Sequence, residues 1–305
     1  MKEFDSRETK SLQIHSIKSK GDKTVKIYIS VDMEGCSGVT HGEHTSEAGN
    51  DYQIARRYMT GETNAAVEGA LAAGATEVII NDAHGGNGHR NILLHELHPD
   101  ARLVVGAPKD LSQMAAIDAS FDAVLFVGYH VREDAYGMVS HSYNSRVVNE
   151  LRINGELVGE TALNAYIAGH FEVPVVMVAG DQYTAEEAEA LLPWIQTAVV
   201  KETIGHNAAI CLHPDRARKR IRDATERALS QLDMAKPLIA DTPVTFDLMT
   251  KDKAMADAAE GIPGIRRMGP RHLVIPDAQN YLAGYRALIA AINLGAGVTT
   301  MPIRR

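Results

Sequence analysis

The stretch Lys26–Gly38, with the sequence KIYISVDMEGCSG, decides the fold because it reads as a buried β-strand that ends on carboxylates and glycine. Its residues divide by parity into an apolar set, Ile27, Ile29 and Val31, and a second set, Tyr28, Ser30, Asp32 and Glu34. Since successive side chains of a strand point to opposite faces, we expect Asp32 and Glu34 to project the same way. Two adjacent carboxylates repel each other and lose hydration unless a cation lies between them. The stretch therefore predicts a divalent metal site or, alternatively, a strand end with two solvated acids.

Further short apolar segments follow along the chain, and each has polar residues where it ends. The predicted strands cover residues 76–84, 102–105, 122–130 and 174–181. The predicted helices cover 52–73 (broken or bent near Gly61), 111–117, 161–170 and a segment opening at Thr184. Strands that are apolar on both faces and alternate with helices are typical of a largely parallel sheet covered on both sides. We therefore expect a three-layer α/β/α fold.

The last third of the chain has a different pattern, which predicts a smaller C-terminal α/β domain. We expect a disordered tail over residues 1–25, a metal-binding catalytic domain over 26–205 and the smaller domain over 206–305. Within the second of these, alternation around Asn154-Gly155 predicts a hairpin with a type I′ turn.

Composition excludes several classes of protein. The 305 residues carry a net charge of −8 without a run of Lys or Arg, which argues against a nucleic-acid partner. The sequence contains no apolar run of about 18 residues, so we expect no membrane span. The first 25 residues lack the apolar core of a secretory signal. Two cysteines form no disulfide framework, and we expect a cytoplasmic location.

Polar residues at the strand ends are the candidate ligands. Asp32 and Glu34 follow the first strand, His84 follows the second and His130 a later one. In open α/β sheets, ligands bind outside the carboxyl ends of the strands, so these side chains should converge there. This mixture of imidazole and carboxylate suits zinc, with manganese or cobalt as alternatives. Glu160, after the hairpin, is the strongest candidate for a further acid.

These strand ends also carry a series of motifs in a fixed order. The segments are Ser30–Gly38 (SVDMEGCSG), Asn81–His84 (NDAH), Gly128–His130 (GYH), Ser140–Ser142 (SHS) and Gly159–Glu160 (GE), followed by Asn164–Gly169 and Val176–Asp181. The series resembles that of the zinc-dependent D-aminopeptidases of dipeptide-transport operons, the DppA-like proteins. The resemblance is dense over residues 26–181 and looser towards the C-terminus.

The resemblance implies roles for individual residues. Two zinc ions per subunit would be bridged by Asp32, with Glu34 and His84 completing one position and His130 and Glu160 the other. His141 matches the family's catalytic histidine and is not a ligand. The resemblance further implies a ring-shaped homo-oligomer, a decamer of two stacked pentamers, whose active sites face an inner cavity.

Three functions are compatible with these features. The first is a binuclear zinc aminopeptidase that removes an N-terminal residue, a D-amino acid by resemblance, from short peptides. The second is a two-metal amidase for non-peptide amides, and the third is a peptide-binding transport component without catalysis. Of the other polar residues, we read Cys36 as packing, His89 as near enough to His84 to line the site, and Asp181 as a weak candidate for binding the substrate amine.

Overall fold

The computed structural model describes residues 24–298, which form two β-sheets with helices packed against them. The larger sheet has seven strands in the order β3-β2-β1-β4-β7-β8-β9. These are β1 (Lys26–Val31), β2 (Glu77–Asp82), β3 (Ala101–Val104), β4 (Ala123–Val127), β7 (Val175–Asp181), β8 (Gln196–Gly205) and β9 (Ala208–Cys211). All neighbours pair in parallel except β8 and β9. The expected α/β fold with a largely parallel sheet is confirmed.

Strand β1 lies at the centre of this sheet, between β2 and β4, and its two faces enter two separate cores. Ile27, Ile29 and Val31 pack with apolar residues of α2 (Tyr52–Ala72) and α5 (Pro214–Ser230). Tyr28 packs on the opposite face, in the core that also receives α3 (Glu160–His170) and α4 (Gln182–Leu191). Helices therefore cover both faces of the sheet, as the parity of the opening stretch predicts.

Helix α2 runs without a break from Tyr52 to Ala72, so the alternative of a break near Gly61 is wrong. Gly69, in the last third of the helix, meets α5 closely. A Cβ atom there would lie 2.7 Å from the carbonyl oxygen of Arg222 and 2.8 Å from Cβ of Thr225. Glycine at this position therefore allows α2 and α5 to pack closely.

The second sheet has five antiparallel strands in the order β11-β12-β10-β5-β6. These are β5 (Val148–Ile153), β6 (Glu156–Leu157), β10 (Val244–Thr250), β11 (Arg266–Arg267) and β12 (His272–Ala278). The expected hairpin is β5–β6, and both residues of its turn have the positive φ of a type I′ turn, 51° at Asn154 and 89° at Gly155. Helices α6 (Lys253–Ala259) and α7 (Tyr281–Ala296) pack on this part of the chain.

The two sheets do not divide the chain at residue 205. Hairpin β5–β6 lies on the amino-terminal side of that position, yet β5 pairs with β10 of the second sheet. Helix α5 lies on the carboxyl side, yet it packs on α2 and β8 of the first sheet. Of the predicted tail, residues 1–23 lie outside the described range, and Val25 already bonds to Thr76 beside β2.

Two local expectations differ from the structure. The helix expected over 111–117 is only a 3-10 turn at Ser112–Met114. The helix expected to open at Thr184 begins at Gln182, because Asp181 caps it by accepting a bond from the Thr184 amide. Within residues 24–298, none of the helices combines the length and the apolar character needed to cross a bilayer.

Candidate metal centre

The candidate ligands meet because β1, β2 and β4 are parallel neighbours that end at the same edge of the sheet. Asp32 follows β1, His84 follows β2 by two residues and His130 follows β4 by three, while Glu160 is the first residue of α3. All of these side chains are buried, as is Glu34. The structure therefore brings together all five residues for which we expect a ligand role.

Asp32 and Glu34 converge for a different reason from the one expected. Strand β1 ends at Val31, and the chain then turns, so the shared strand face is wrong for this pair. The turn is held against β4 by the Gly35 amide, which donates to the carbonyl oxygen of Gly128 at 2.8 Å. A Cβ on Gly35 would lie 1.9 Å from the carbonyl oxygen of Tyr129, so only glycine permits this approach.

Gly128 faces this turn from the end of β4 and is equally constrained. Its φ is +70°, in the left-handed region, and a Cβ there would lie 2.1 Å from the carbonyl oxygen of Asp32. The glycines of the VDMEG and GYH segments thus allow Asp32 and His130 to approach each other.

His84, Asp32 and Glu34 form the first group of donor atoms. Nδ1 of His84 lies 3.2 Å from Oδ1 of Asp32 and 3.0 Å from Oε2 of Glu34. The opposite ring nitrogen, Nε2, lies 2.8 Å from the carbonyl oxygen of Thr45, to which it donates. This bond fixes the tautomer and leaves the lone pair of Nδ1 facing the carboxylates, the usual arrangement of a metal-binding histidine.

His130, Asp32 and Glu160 form the second group. Nε2 of His130 lies 3.7 Å from Oδ2 of Asp32 and 3.4 Å from Oε1 of Glu160. Its Nδ1 donates to the carbonyl oxygen of Val131 at 3.0 Å. Asp32 therefore turns one carboxylate oxygen towards each group, which suits a bridge between two positions.

Two buried atoms at the centre have no hydrogen-bond partner among the described residues. They are Oε2 of Glu34 and Nε2 of His130. Leaving buried polar atoms unpaired is costly, and a metal ion would satisfy both. Donor atoms that share a tetrahedral zinc ion stand about 3.3 Å apart, given zinc–ligand distances of about 2.0–2.2 Å. The separations of 3.0–3.7 Å within the two groups fit such sharing.

The charges of the centre also call for a cation. Burial, followed by the charge of Glu34, raises the pKa of Asp32 to about 8. Although burial opposes it, the charge of Glu160 raises the pKa of His130 to about 10. The carboxylates thus draw positive charge into the site, and divalent ions would supply it in place of protons.

His141 lies over the second group from the loop that follows β4. Its ring stacks on that of His130, with the centroids 4.2 Å apart and the planes 16° from parallel. Nδ1 donates to the carbonyl oxygen of Val139 at 3.0 Å, and Nε2 lies 3.7 Å from Oε1 of Glu160. Burial, then the charge of His130, lowers the pKa of His141, so the ring stays neutral and Nε2 offers a lone pair. The geometry permits both a metal ligand and a proton carrier here, since donor atoms of His130, His141 and Glu160 lie within 4.8 Å of one another.

Glu160 is oriented by a buried hydrogen-bond network whose members were not candidate site residues. Its Oε2 accepts a bond from Nε2 of Gln113, and its Oε1 accepts one from the Tyr143 amide at 2.7 Å. Oε1 of Gln113 in turn accepts from Asn164 at 2.6 Å, and Asn164 also donates to the hydroxyl of Tyr129 at 2.9 Å. This buried network fixes the carboxylate in one orientation.

A buried lysine holds the backbone of Glu34 in place. Nζ of Lys201, on β8, donates to the carbonyl oxygens of Glu34 and Val39. Glu62 of α2 accepts from the Ser37 amide at 2.8 Å in the same turn. Lys201 and Glu62 thus fasten the segment that carries two of the candidate ligands.

A cleft of about 350 Å³ opens onto the centre. His141, Arg146, Gly85 and Gly86 are among the residues that line it. A larger cleft of about 650 Å³ runs along α5 among Arg216, Arg220 and other basic side chains, but none of the candidate ligands lines it. The cleft at the sheet edge is therefore the candidate substrate site.

Three residues outside the candidate set have structural explanations. Cys36 is buried in the core, as expected. His89 does not line the cleft at the metal centre but an adjoining cavity. The carboxylate of Asp181 accepts hydrogen bonds from Thr184, from Thr203 and from the Met138 amide. These bonds explain its burial by a structural role in capping α4 and holding the loop at Met138.

Comparisons with known proteins identify the family of the chain. Residues 25–290 match a peptidase family described as D-aminopeptidase. The chain is 37% identical over 270 residues to a D-aminopeptidase of Bacillus subtilis strain 168, covering 88% of this chain and 97% of that protein. It also superposes with a TM-score of 0.87 and 35% identity on a solved structure described as the Zn-dependent D-aminopeptidase DppA from Bacillus subtilis, a self-compartmentalizing protease. That match covers 91% of this chain and all of the other. The chain therefore belongs to the D-aminopeptidase family of peptidases.

Proposed function

We propose that this protein is a binuclear zinc aminopeptidase that removes an N-terminal D-amino acid from short peptides. The observation that carries the proposal is the pair of buried donor groups that share Asp32 at the floor of a cleft. Membership of the D-aminopeptidase family supports peptide hydrolysis, and the zinc dependence of the Bacillus subtilis structure supports zinc as the metal.

The ligand roles follow the two groups. Asp32 would bridge both ions, with Glu34 and His84 holding one and His130 and Glu160 holding the other. Bound zinc lowers the pKa of coordinated water towards neutrality and polarises the scissile carbonyl. Manganese or cobalt would suit the same donors, because imidazole and carboxylate bind these ions as well.

His141 is the group that would handle protons. Its Nδ1–H donates to the carbonyl oxygen of Val139, so Nε2 is the ring atom that can exchange a proton with the substrate. Nε2 lies beside Glu160, and His141 lines the cleft. A neutral imidazole at this position can accept a proton from the attacking water and deliver it to the departing amine. Glu160 and the stacked ring of His130 keep the imidazole in place for both transfers.

A substrate panel tests the proposed activity. The zinc-loaded protein should hydrolyse D-alanyl-D-alanine with a kcat/KM at least about tenfold above that for L-alanyl-L-alanine and for a simple non-peptide amide. Removal of zinc with a chelator should abolish the activity, and added zinc should restore it. Equal rates on the two dipeptides would contradict D-specificity, and hydrolysis of the non-peptide amide alone would favour an amidase.

We further propose a homo-oligomer, a decamer of two pentameric rings, in the cytoplasm. The description of the Bacillus subtilis structure as self-compartmentalizing supports assembly. So do two apolar side chains on the β8–β9 hairpin, Ile204 and Ile210, which are 62% and 60% exposed. Light scattering should give ten chains per particle, and a monomer mass would contradict assembly. The location rests on the small number of cysteines, neither of which is in a disulfide.

A further inference from the structure

A second cavity of about 350 Å³ adjoins the cleft at the metal centre. The two spaces share Gly85, Gln113, Tyr143 and Asn144 as common wall. A substrate whose scissile bond lies at the metal ligands can therefore extend into this cavity without leaving the protein surface. The candidate ligands do not line the cavity, so its own residues must serve another purpose.

Lys109 supplies the positive charge of this cavity. Its Nζ donates to Oδ1 of Asn81 at 2.7 Å and to the carbonyl oxygen of Asp82 at 2.5 Å. An ammonium group has three donors, so one remains for a ligand. Within residues 24–298 Lys109 forms no ion pair, because the neighbouring carboxylate of Asp82 is occupied by bonds from Asn91 and the Ile92 amide.

The environment of Lys109 makes this charge effective. The side chain is fastened at the cavity wall by its two neutral acceptors, and burial lowers its pKa only to about 8, so it remains mostly protonated at neutral pH. A cation held in a partly desolvated cavity binds an anion more strongly than one on the open surface.

Part of the cavity lining is apolar. Ile289 and Ile292 of α7 contribute to it together with Pro108. The volume suits a single amino-acid residue of modest size, with its side chain against these apolar groups and a charged end at Lys109.

We propose, building on the aminopeptidase function above, that this cavity binds the departing residue of a dipeptide and that Lys109 pairs with its terminal carboxylate. The substrate class is then dipeptides with a free C-terminus, in preference to dipeptides whose C-terminus is capped. The peptide C–N bond breaks as the water-derived hydroxyl joins the carbonyl carbon of the N-terminal residue. The remaining proton of the water passes to the nitrogen of the residue held by Lys109, so the second product is a free amino acid.

The test compares the zinc-loaded oligomer with its Lys109→Met and Lys109→Arg variants on D-alanyl-D-alanine and on its C-terminal amide. In the unaltered protein the acid should have the higher kcat/KM. Lys109→Met should lower the acid-to-amide ratio of kcat/KM by about 10- to 100-fold, the range for a charged hydrogen bond. Lys109→Arg should restore part of the ratio, because it retains the charge. Arg146→Met, which removes the cation lining the metal cleft, should leave the ratio within about threefold.

The outcomes separate this inference from the function on which it rests. If the unaltered protein cleaves both substrates and Lys109→Met leaves the ratio unchanged, the inference is wrong and the aminopeptidase function stands. If Arg146→Met alone lowered the acid-to-amide ratio of kcat/KM, the carboxylate would be recognised in the metal cleft, and the inference would again be wrong. If the unaltered, zinc-loaded protein cleaves neither substrate, the proposed function itself fails.

Discussion

Asp32→Asn should remove both zinc ions and lower kcat/KM by about 10⁴-fold or more, since water activation and carbonyl polarisation are each worth on the order of 10²-fold or more. The two carboxylate oxygens of Asp32 face different donor groups, one towards His84 and the other towards His130. An amide keeps the shape but loses the charge that holds two cations together. Elemental analysis of the purified variant, combined with dipeptide kinetics, measures both effects.

Glu34→Gln is the matched comparison, because it alters the charge of one group only. We expect it to lose one ion and to keep the other, which His130 and Glu160 would hold with Asp32. The control is Asp100→Asn, which removes the charge of an exposed acid and should retain both ions and full activity. If Asp32→Asn kept one ion, or if Glu34→Gln lost both, the bridging role of Asp32 would be refuted.

His141→Gln should lower kcat by about 10²–10⁴-fold, the usual contribution of side-chain proton transfer, and should keep both zinc ions. The ring is partly exposed at the cleft, with a side-chain exposure of 15%, whereas that of Glu160 is 1%. Access to the cleft suits a group that meets the substrate. Steady-state kinetics with zinc analysis separates a loss of catalysis from a loss of metal.

The matched control for this prediction is His95→Gln, since the side chain of His95 is 76% exposed and lies outside both cavities. It should behave as the unaltered protein. A His141→Gln variant that lost one zinc ion would instead show that His141 is a ligand of the second group, which its position next to His130 and Glu160 allows.

The layered fold could be predicted because its signals are local. The alternation within Lys26–Val31 places Ile27 in one core and Tyr28 in the other, and the turn residues Asn154 and Gly155 specify their own conformation. The division of the chain between the two sheets could not be predicted, because the pairing of β5 with β10 joins segments that are distant in sequence. No local sequence pattern indicates which distant strand β5 pairs with.

The convergence of the strand-end residues could also be predicted, since parallel strands end at one edge of a sheet. The reason given for Asp32 and Glu34 was wrong, because glycine-dependent contact between two turns, at Gly35 and Gly128, replaces the extended strand. Gln113 and Lys201 lie outside the motif segments of the sequence. They act on Glu160 and Glu34 through tertiary contacts that only the folded chain shows.

The central claim is a pair of zinc ions that share Asp32, and a crystal structure recorded at the zinc absorption edge tests it most directly. We predict two anomalous peaks beside the Asp32 carboxylate, separated by about 3.5–4 Å, as is usual for two-metal sites. One peak should lie against Glu34 and His84, and the other against His130 and Glu160. A single peak, or two peaks that do not both adjoin Asp32, would contradict the claim.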